Sequence, residues 1–171
     1  DAVHAVTRAD PGRDQRQLAA LDPHGGTGHF TGAASIPTAD ARAAWHVIVT
    51  GNLLSGPDVL DACLHGYQTA AGPLDRRLLA ALDATAAAGG DSRGLLSAAL
   101  LLVGPTIPPL TLRIDHSETP LADLRALHDR ATSGHYADWV SYVPTPADPC
   151  RATPYPGIVQ EGKNRRATSA S

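Results

Sequence analysis

The sequence predicts an α+β fold, and three observations carry that expectation. A β-hairpin signal and a third strand stand near the start, a pair of amphipathic helical stripes follows them, and a second strand pair precedes a third helix. The predicted order is three strands, two helices, two strands and one helix. The first element is helical: residues 1–9 fit the last turns of a helix, closed by the break at Asp10-Pro11-Gly12. Residues 15–22 read as a strand, Pro23-His24-Gly25-Gly26 as a tight turn, and residues 27–32 as its hairpin partner. Residues 45–50, Trp-His-Val-Ile-Val-Thr, are rich in β-branched side chains and form the third strand, which stops at Gly51-Asn52.

Pro57 suits a first helical position, and Leu60, Cys63, Leu64 and Tyr67 then make one apolar face at helical spacing. After Gly72-Pro73, the positions Leu74, Leu78, Ala81, Leu82 and Thr85 form a second stripe, ended by Gly89-Gly90. Residues 95–103 are almost wholly apolar and read as a central strand buried on both faces. Residues 110–115 alternate, as a half-buried strand does, and Leu121, Leu124, Leu127 and His128 mark the last helix. From Pro144 the composition turns proline-rich and ends in Lys163-Asn164-Arg165-Arg166. The expected organisation is one domain over residues 1–143 and an extended tail over 144–171.

Composition narrows the function classes. At 171 residues and 43% hydrophobic content the chain is long enough for a buried core. A formal net charge of −3 gives no electrostatic case for nucleic acid or an anionic membrane. No apolar run approaches the roughly 20 residues that span a bilayer. A cytoplasmic protein is the expectation. The chain contains no methionine, so an upstream segment is expected to precede it. The two cysteines form no disulfide framework: Cys63 lies on a helical apolar stripe as a small hydrophobe, and Cys150 lies in the proline-rich tail. The eight histidines lack His-Glu-x-x-His or Cys-paired spacing, so no metal and no cofactor are expected. Ser97 lacks the glycine spacing of a nucleophile elbow.

The densest polar segment is Asp10-Pro11-Gly12-Arg13-Asp14-Gln15-Arg16-Gln17, with two arginines, two carboxylates and two amides. Arg13 and Arg16 have the geometry to clamp a carboxylate-bearing ligand, or to close a structural ion-pair loop with Asp10 and Asp14. Gly51-Asn52 is the best local candidate for chemistry. An asparagine amide at a strand end, beside a glycine that admits close backbone approach, donates to a developing oxyanion; the alternative is a turn in which Asn52 caps its own backbone. Asp91 and Arg93, in a glycine-rich turn, pose the same choice between binding and structure.

Several collinear segments carry a family resemblance over roughly residues 1–130. Besides the polar octapeptide they are Gly28-His29-Phe30-Thr31-Gly32, Val49-Thr50-Gly51-Asn52-Leu53-Leu54, Gly56-Pro57-Asp58-Val59-Leu60, Gly89-Gly90-Asp91-Ser92-Arg93-Gly94, Ser97-Ala98-Ala99 and Leu112-Arg113-Ile114-Asp115. On these the chain resembles the DUF1028 group, whose members look like N-terminal nucleophile (Ntn) hydrolases. Leu95-Leu96 departs from a polar pair usual in that group, and residues 104–109 shorten and rewrite the following hairpin.

The resemblance implies an αββα sandwich, incomplete here at its N-terminus, in which an N-terminal Thr, Ser or Cys attacks a carbonyl and its own α-amine accepts the proton. It implies an amidohydrolase of small amide or peptide-like bonds, with Asn52 as oxyanion donor and with Arg13, Arg16, Gly51, Asp91 and Arg93 near the substrate. Asp1 is no substitute for a hydroxyl–amine pair, so the nucleophile is expected upstream and the chain alone is expected to be inactive. Exposed sheet edges would then favour a homo-oligomer or a complementary N-terminal chain. The competing expectation is a non-catalytic small-ligand-binding or scaffold protein of the same architecture.

Overall fold

The computed structural model describes residues 2–152, which divide into two compact units at the junction of Leu96 and Ser97. The mixture of helices and small antiparallel sheets is that of an α+β protein. The basic run at residues 163–166 lies outside the described residues.

In the first unit, α1 (Ala2–Arg8) leads through a 3-10 turn (Arg13–Gln15) into β1 (Gln17–Leu21) and β2 (Thr27–Thr31). These two strands pair antiparallel, with Gln17 opposite Thr31 and Leu21 opposite Thr27. Asp22 shapes the turn between them: its Oδ1 accepts from the backbone N–H of His24 at 2.7 Å and of Gly26 at 2.9 Å. That Asx-type geometry is why aspartate opens so many turns. A second hairpin joins β3 (Asp40–Ala44) to β4 (Val47–Gly51), with Asp40 opposite Gly51 and Ala44 opposite Val47. The two hairpin tips touch, His46 N–H donating to the Gly25 carbonyl at 3.2 Å. Gly25 has φ +90, and a Cβ there would lie 2.6 Å from the His46 ring, so glycine is required twice over.

Helix α2 (Val59–Thr69) covers the second hairpin, and α3 (Leu74–Ala87) packs on α2, while α1 lies against the first hairpin. Val3, Ala41, Val59, Leu60, Tyr67, Leu79 and Ala81 form the apolar interior of this unit. Arg42 ties β3 to α2 through Asp61 (Nε–Oδ1 2.7 Å) and also holds Asp40 on its own strand.

The second unit is smaller. β5 (Ala98–Leu102) and β6 (Leu110–Ile114) make an antiparallel pair against α4 (Pro120–Ala131), followed by α5 (Gly134–Val140). Leu100, Leu112, Leu124 and His128 are buried together with one face of the strand pair. Ser117 organises the start of α4, accepting from Thr119 N–H at 2.9 Å and donating to Asp123 at 2.5 Å. Beyond residue 143 the described chain is still tied down: Thr145 is buried and bridges Asp148, and the Arg151 guanidinium donates to the Val143 carbonyl at 2.9 Å.

Several expectations need correction. The apolar run at residues 95–103 is not buried on both faces: Leu100 is 5% exposed, but Leu101 is 62% and Val103 67%. β5 has a single strand neighbour, so only alternate side chains reach the α4 side. Trp45 and His46 are not strand residues but the two-residue tip between β3 and β4, where His46 takes φ 60. The β-branched strand therefore begins at Val47 and includes Gly51. β3 was not expected, because Asp-Ala-Arg-Ala-Ala has little strand propensity and is a strand through its pairing with β4. The first strand begins at Gln17, the residues before it being a 3-10 turn. Pro57 sits in a turn before α2, which starts at Val59, and α5 adds a helix the apolar pattern did not announce. Cys63 is half-buried, less enclosed than its place on the stripe implies.

Candidate functional site

Two loops of the first unit form the candidate site. β4 delivers Gly51 and Asn52 to its end, and the chain then turns through Leu53, which adopts φ 55. A branched side chain in the left-handed region is unfavourable and persists only where neighbouring contacts over-determine it. Here three backbone bonds do so. Ser92 N–H donates to the Leu53 carbonyl at 2.8 Å, Ser55 N–H to Gly90 at 2.9 Å, and Leu54 N–H to Thr38 at 3.1 Å. Leu54 and Asp91 form an isolated antiparallel bridge. The 89–93 turn thus lies along the segment that follows Asn52.

Glycine is needed at two points of this junction. Gly89 has φ +110, and a Cβ there would strike the Ser55 hydroxyl. A Cβ on Gly51 would lie 2.8 Å from Leu54, inside ordinary contact. Gly89 lets the two loops approach more closely than a side chain allows, while Gly51 leaves room for the Leu54 side chain beside it.

Asn52 itself is exposed, and its carboxamide nitrogen donates to Gln17 Oε1 at 3.4 Å rather than to its own backbone. Gln17, at the start of β1, donates in turn to the Gly51 and Asp40 carbonyls at 3.0 Å each and to the Thr31 hydroxyl at 3.2 Å. This one side chain joins the open ends of both hairpins beside Asn52.

Asp91 accepts three bonds from Arg93: from its backbone N–H at 2.8 Å, from Nε at 3.0 Å and from Nη2 at 2.7 Å. The guanidinium contact first, and the backbone N–H second, hold the Asp91 carboxyl down at about 2, and the same contact raises Arg93. The pair is a fixed bidentate unit with Arg93 68% exposed.

The octapeptide closes on itself. Arg16 Nε donates to Asp10 at 3.0 Å, while the other Asp10 oxygen accepts from Gly12 N–H at 2.8 Å. The Gly12 N–H first, then the Arg16 side chain, lower the Asp10 pKa. Arg13 lies with its guanidinium 4.6 Å from the centroid of the Phe30 ring, a cation–π arrangement. The structure therefore brings Gly51, Asn52, Asp91 and Arg93 together on two paired loops, and it places Arg13 and Arg16 on a separate, internally tied turn that leads into Gln17.

Sequence reasoning missed Gln17 as a site residue. Its one signal was its place as the second amide of the polar octapeptide, near the start of the predicted strand over residues 15–22. A groove of about 330 Å³ between α1 and the first hairpin is lined by Val3, Ala20, Leu21 and Thr27 among others, and holds none of Asn52, Asp91 or Arg93. Among the described residues no three His, Cys, Asp or Glu side chains converge as a metal cage, and no helix is long and apolar enough to cross a membrane.

Comparison with known proteins places this arrangement in a family. The chain is similar to a DUF1028 protein from Silicibacter pomeroyi whose crystal structure superposes with a TM-score of 0.83 at 41% identity, over 90% of this chain and 69% of that one. No curated protein matches it. The family model described as "Family of unknown function (DUF1028)" matches residues 1–124. With that model covering most of its length, the chain belongs to the DUF1028 family.

Proposed function

We propose that this domain carries the oxyanion-binding and substrate-binding side of an Ntn-type hydrolase that cleaves small amide or peptide-like bonds. One observation carries the reading: the Asn52 carboxamide stands exposed at a strand end whose backbone is held on both sides before any substrate arrives. A donor aimed in advance costs no reorganisation when charge develops, which is what an oxyanion hole requires. The packing of α1 on one hairpin, that hairpin against the next, and α2 on the second supports an αββα layering around it.

In this reading an N-terminal Thr, Ser or Cys, of the kind the family resemblance implies, attacks the amide carbonyl while its α-amine takes the proton. Asn52 Nδ2 donates to the oxygen as it becomes an oxyanion. Collapse of that intermediate expels the amine, which takes the proton back from the α-ammonium, and water activated by the freed α-amine then releases the acyl group. Asp91 is ionised throughout the neutral range and is no proton-transfer group there; its role is to orient Arg93. Arg93 uses two side-chain N–H directions on Asp91 and keeps the remainder of its fork for a polar group of the substrate. Arg13 and Arg16, on the turn that leads into Gln17, add positive charge that favours a substrate bearing a carboxylate.

The test uses the mature product of the full-length gene and a panel of small N-acyl amino acids and amides. Asn52→Ala is expected to lower kcat about 100- to 1,000-fold with a smaller change in KM, the usual consequence of removing one oxyanion donor. A kcat within about twofold of wild type would remove Asn52 from the chemistry.

A second reading has its own support. Arg16 and Arg93 each have a carboxylate partner within the chain, and Arg13 has a ring partner, as in a protein whose polar loops are structural or bind without turnover. Saturable binding of the same amides that needs Arg93, without hydrolysis and without a Thr, Ser or Cys at the mature N-terminus, would establish that alternative.

A further inference from the structure

We propose that Gln17 is the positioning residue that fixes which way the Asn52 carboxamide points; the inference rests on the oxyanion reading above. A glutamine amide has one end that donates and one that accepts; the two ends are alike in shape, and their neighbours decide which is which. Gln17 Nε2 faces the backbone carbonyls of Asp40 and Gly51, both at 3.0 Å. Carbonyl oxygens only accept, so the nitrogen end of Gln17 must face them. Its Oε1 is thereby turned the other way, to Asn52. Oε1 also only accepts, so Asn52 must present its NH₂ to Gln17 and not its oxygen. The polarity of two backbone carbonyls is thus relayed through one amide to the next.

The consequence falls on the second Asn52 N–H. One hydrogen of the NH₂ is directed to Gln17, which leaves the other on the exposed side for a substrate oxygen. Were the amide inverted, Asn52 would offer Oδ1 to a developing oxyanion and repel it. At 3.4 Å the Gln17–Asn52 contact is long, so its part is orientation and not strength. Gln17 reinforces it through the backbone, since the carbonyl it holds belongs to Gly51, the residue directly before Asn52. The Leu53 carbonyl is held by Ser92 on the other side, so Asn52 is fixed from both flanks.

Gln17→Lys separates this role from a structural one. An ammonium keeps donors for Thr31, Asp40 and Gly51 but removes the acceptor that orients Asn52. In the mature full-length enzyme the expected result is a loss of about 10- to 100-fold in kcat, the scale of a misplaced catalytic group, with KM within about twofold and the melting temperature nearly unchanged. Gln17→Glu is the converse variant: it keeps an acceptor for Asn52, loses the donors, and is expected to melt lower while retaining more kcat than the lysine variant. A readout independent of turnover is the ¹⁵N-resolved side-chain signal of Asn52 in wild type. The Asn52 carboxamide proton that faces Gln17 is expected to exchange with solvent more slowly than that of an unstructured asparagine, and this protection is expected to vanish in Gln17→Lys.

The outcomes separate cleanly. If Asn52→Ala lowers kcat while Gln17→Lys does not, the positioning role is wrong and the oxyanion reading stands. If Asn52→Ala is silent, the oxyanion reading fails and takes the inference with it. If the lysine variant does not fold, the wild-type exchange experiment decides: no protection of the Asn52 proton that faces Gln17, relative to an unstructured asparagine, overturns the inference.

Discussion

Asp91 and Arg93 show at the level of single residues how a short turn sets a charge. The carboxyl accepts from the arginine two residues on and from that residue's own backbone N–H, so its charged form is favoured and its pKa falls from 3.8 to about 2. The sign of the pH effect follows. A depressed folded pKa contributes stability that is fully present above the unfolded value, near 4, and is lost as the pH falls through about 2. Both groups meet solvent, so the effect on global stability is small and the effect on the 89–93 turn is the one to measure. The Asp91 carboxyl is expected to titrate with a midpoint near 2 by NMR, and protection of the Ser92 amide is expected to fall in the same window. In Asp91→Asn the Ser92 amide should be less protected at pH 7 and insensitive to acid between pH 4 and 2. A carboxyl midpoint near 4 would show that the pair does not persist in solution. The sequence made Asp91, Arg93 and Asn52 visible because such side chains in glycine-rich turns have few roles. Gln17 stayed hidden because a glutamine at the start of a strand has many, and its three acceptors come from residues 14, 23 and 34 positions away.

Elements were legible wherever one local pattern decided them. α3 and the turn of the first hairpin follow from helical periodicity and from the Asp22–Gly26 segment, both contained within a few residues. β3 was not legible, because alanine, arginine and aspartate become a strand only through the β4 partner and the α2 surface that holds Arg42. The contact of α2 with α3 was half-legible: both stripes were present, but not the fact that the helices meet at Gly66. A Cβ there would lie 2.7 Å from Ala84 Cβ and 3.0 Å from the Ala80 carbonyl, and neither can swing aside as a long side chain would. Gly66→Ala therefore opposes two effects. Helix propensity favours alanine by at most about 1 kcal/mol, while overpacking a close helix contact costs about 1–3 kcal/mol. Overpacking wins where backbone is the obstacle. The variant is expected to unfold at lower urea concentration with an unchanged m-value, and a rise in the midpoint would mean that the helices separate without cost.

For the whole molecule, the consequence of the strand pairing is a surplus of open edges. The described residues form three separate two-stranded sheets, so each of the six strands has one edge without a ladder partner. Natural sheets blunt such edges with lysine, proline or bulges. β5 instead carries Leu101 at 62% exposure and is followed by Val103 at 67%, and this face has no charged residue of its own strand to repel a neighbour. A net charge of −3 over 171 residues adds little long-range repulsion. The expected behaviour of this chain is self-association through strand edges. Sedimentation of the chain at about 50 µM should show species larger than a monomer, in the range where unpaired edges drive association. Leu101→Lys places a charge on the exposed face of β5 and leaves the buried Leu100 in place, so it should shift the distribution toward monomer without lowering the melting temperature. A wild-type chain that stays monomeric at that concentration would show that these edges are already protected. A lysine variant that associates as strongly as wild type would place the contact on a different strand.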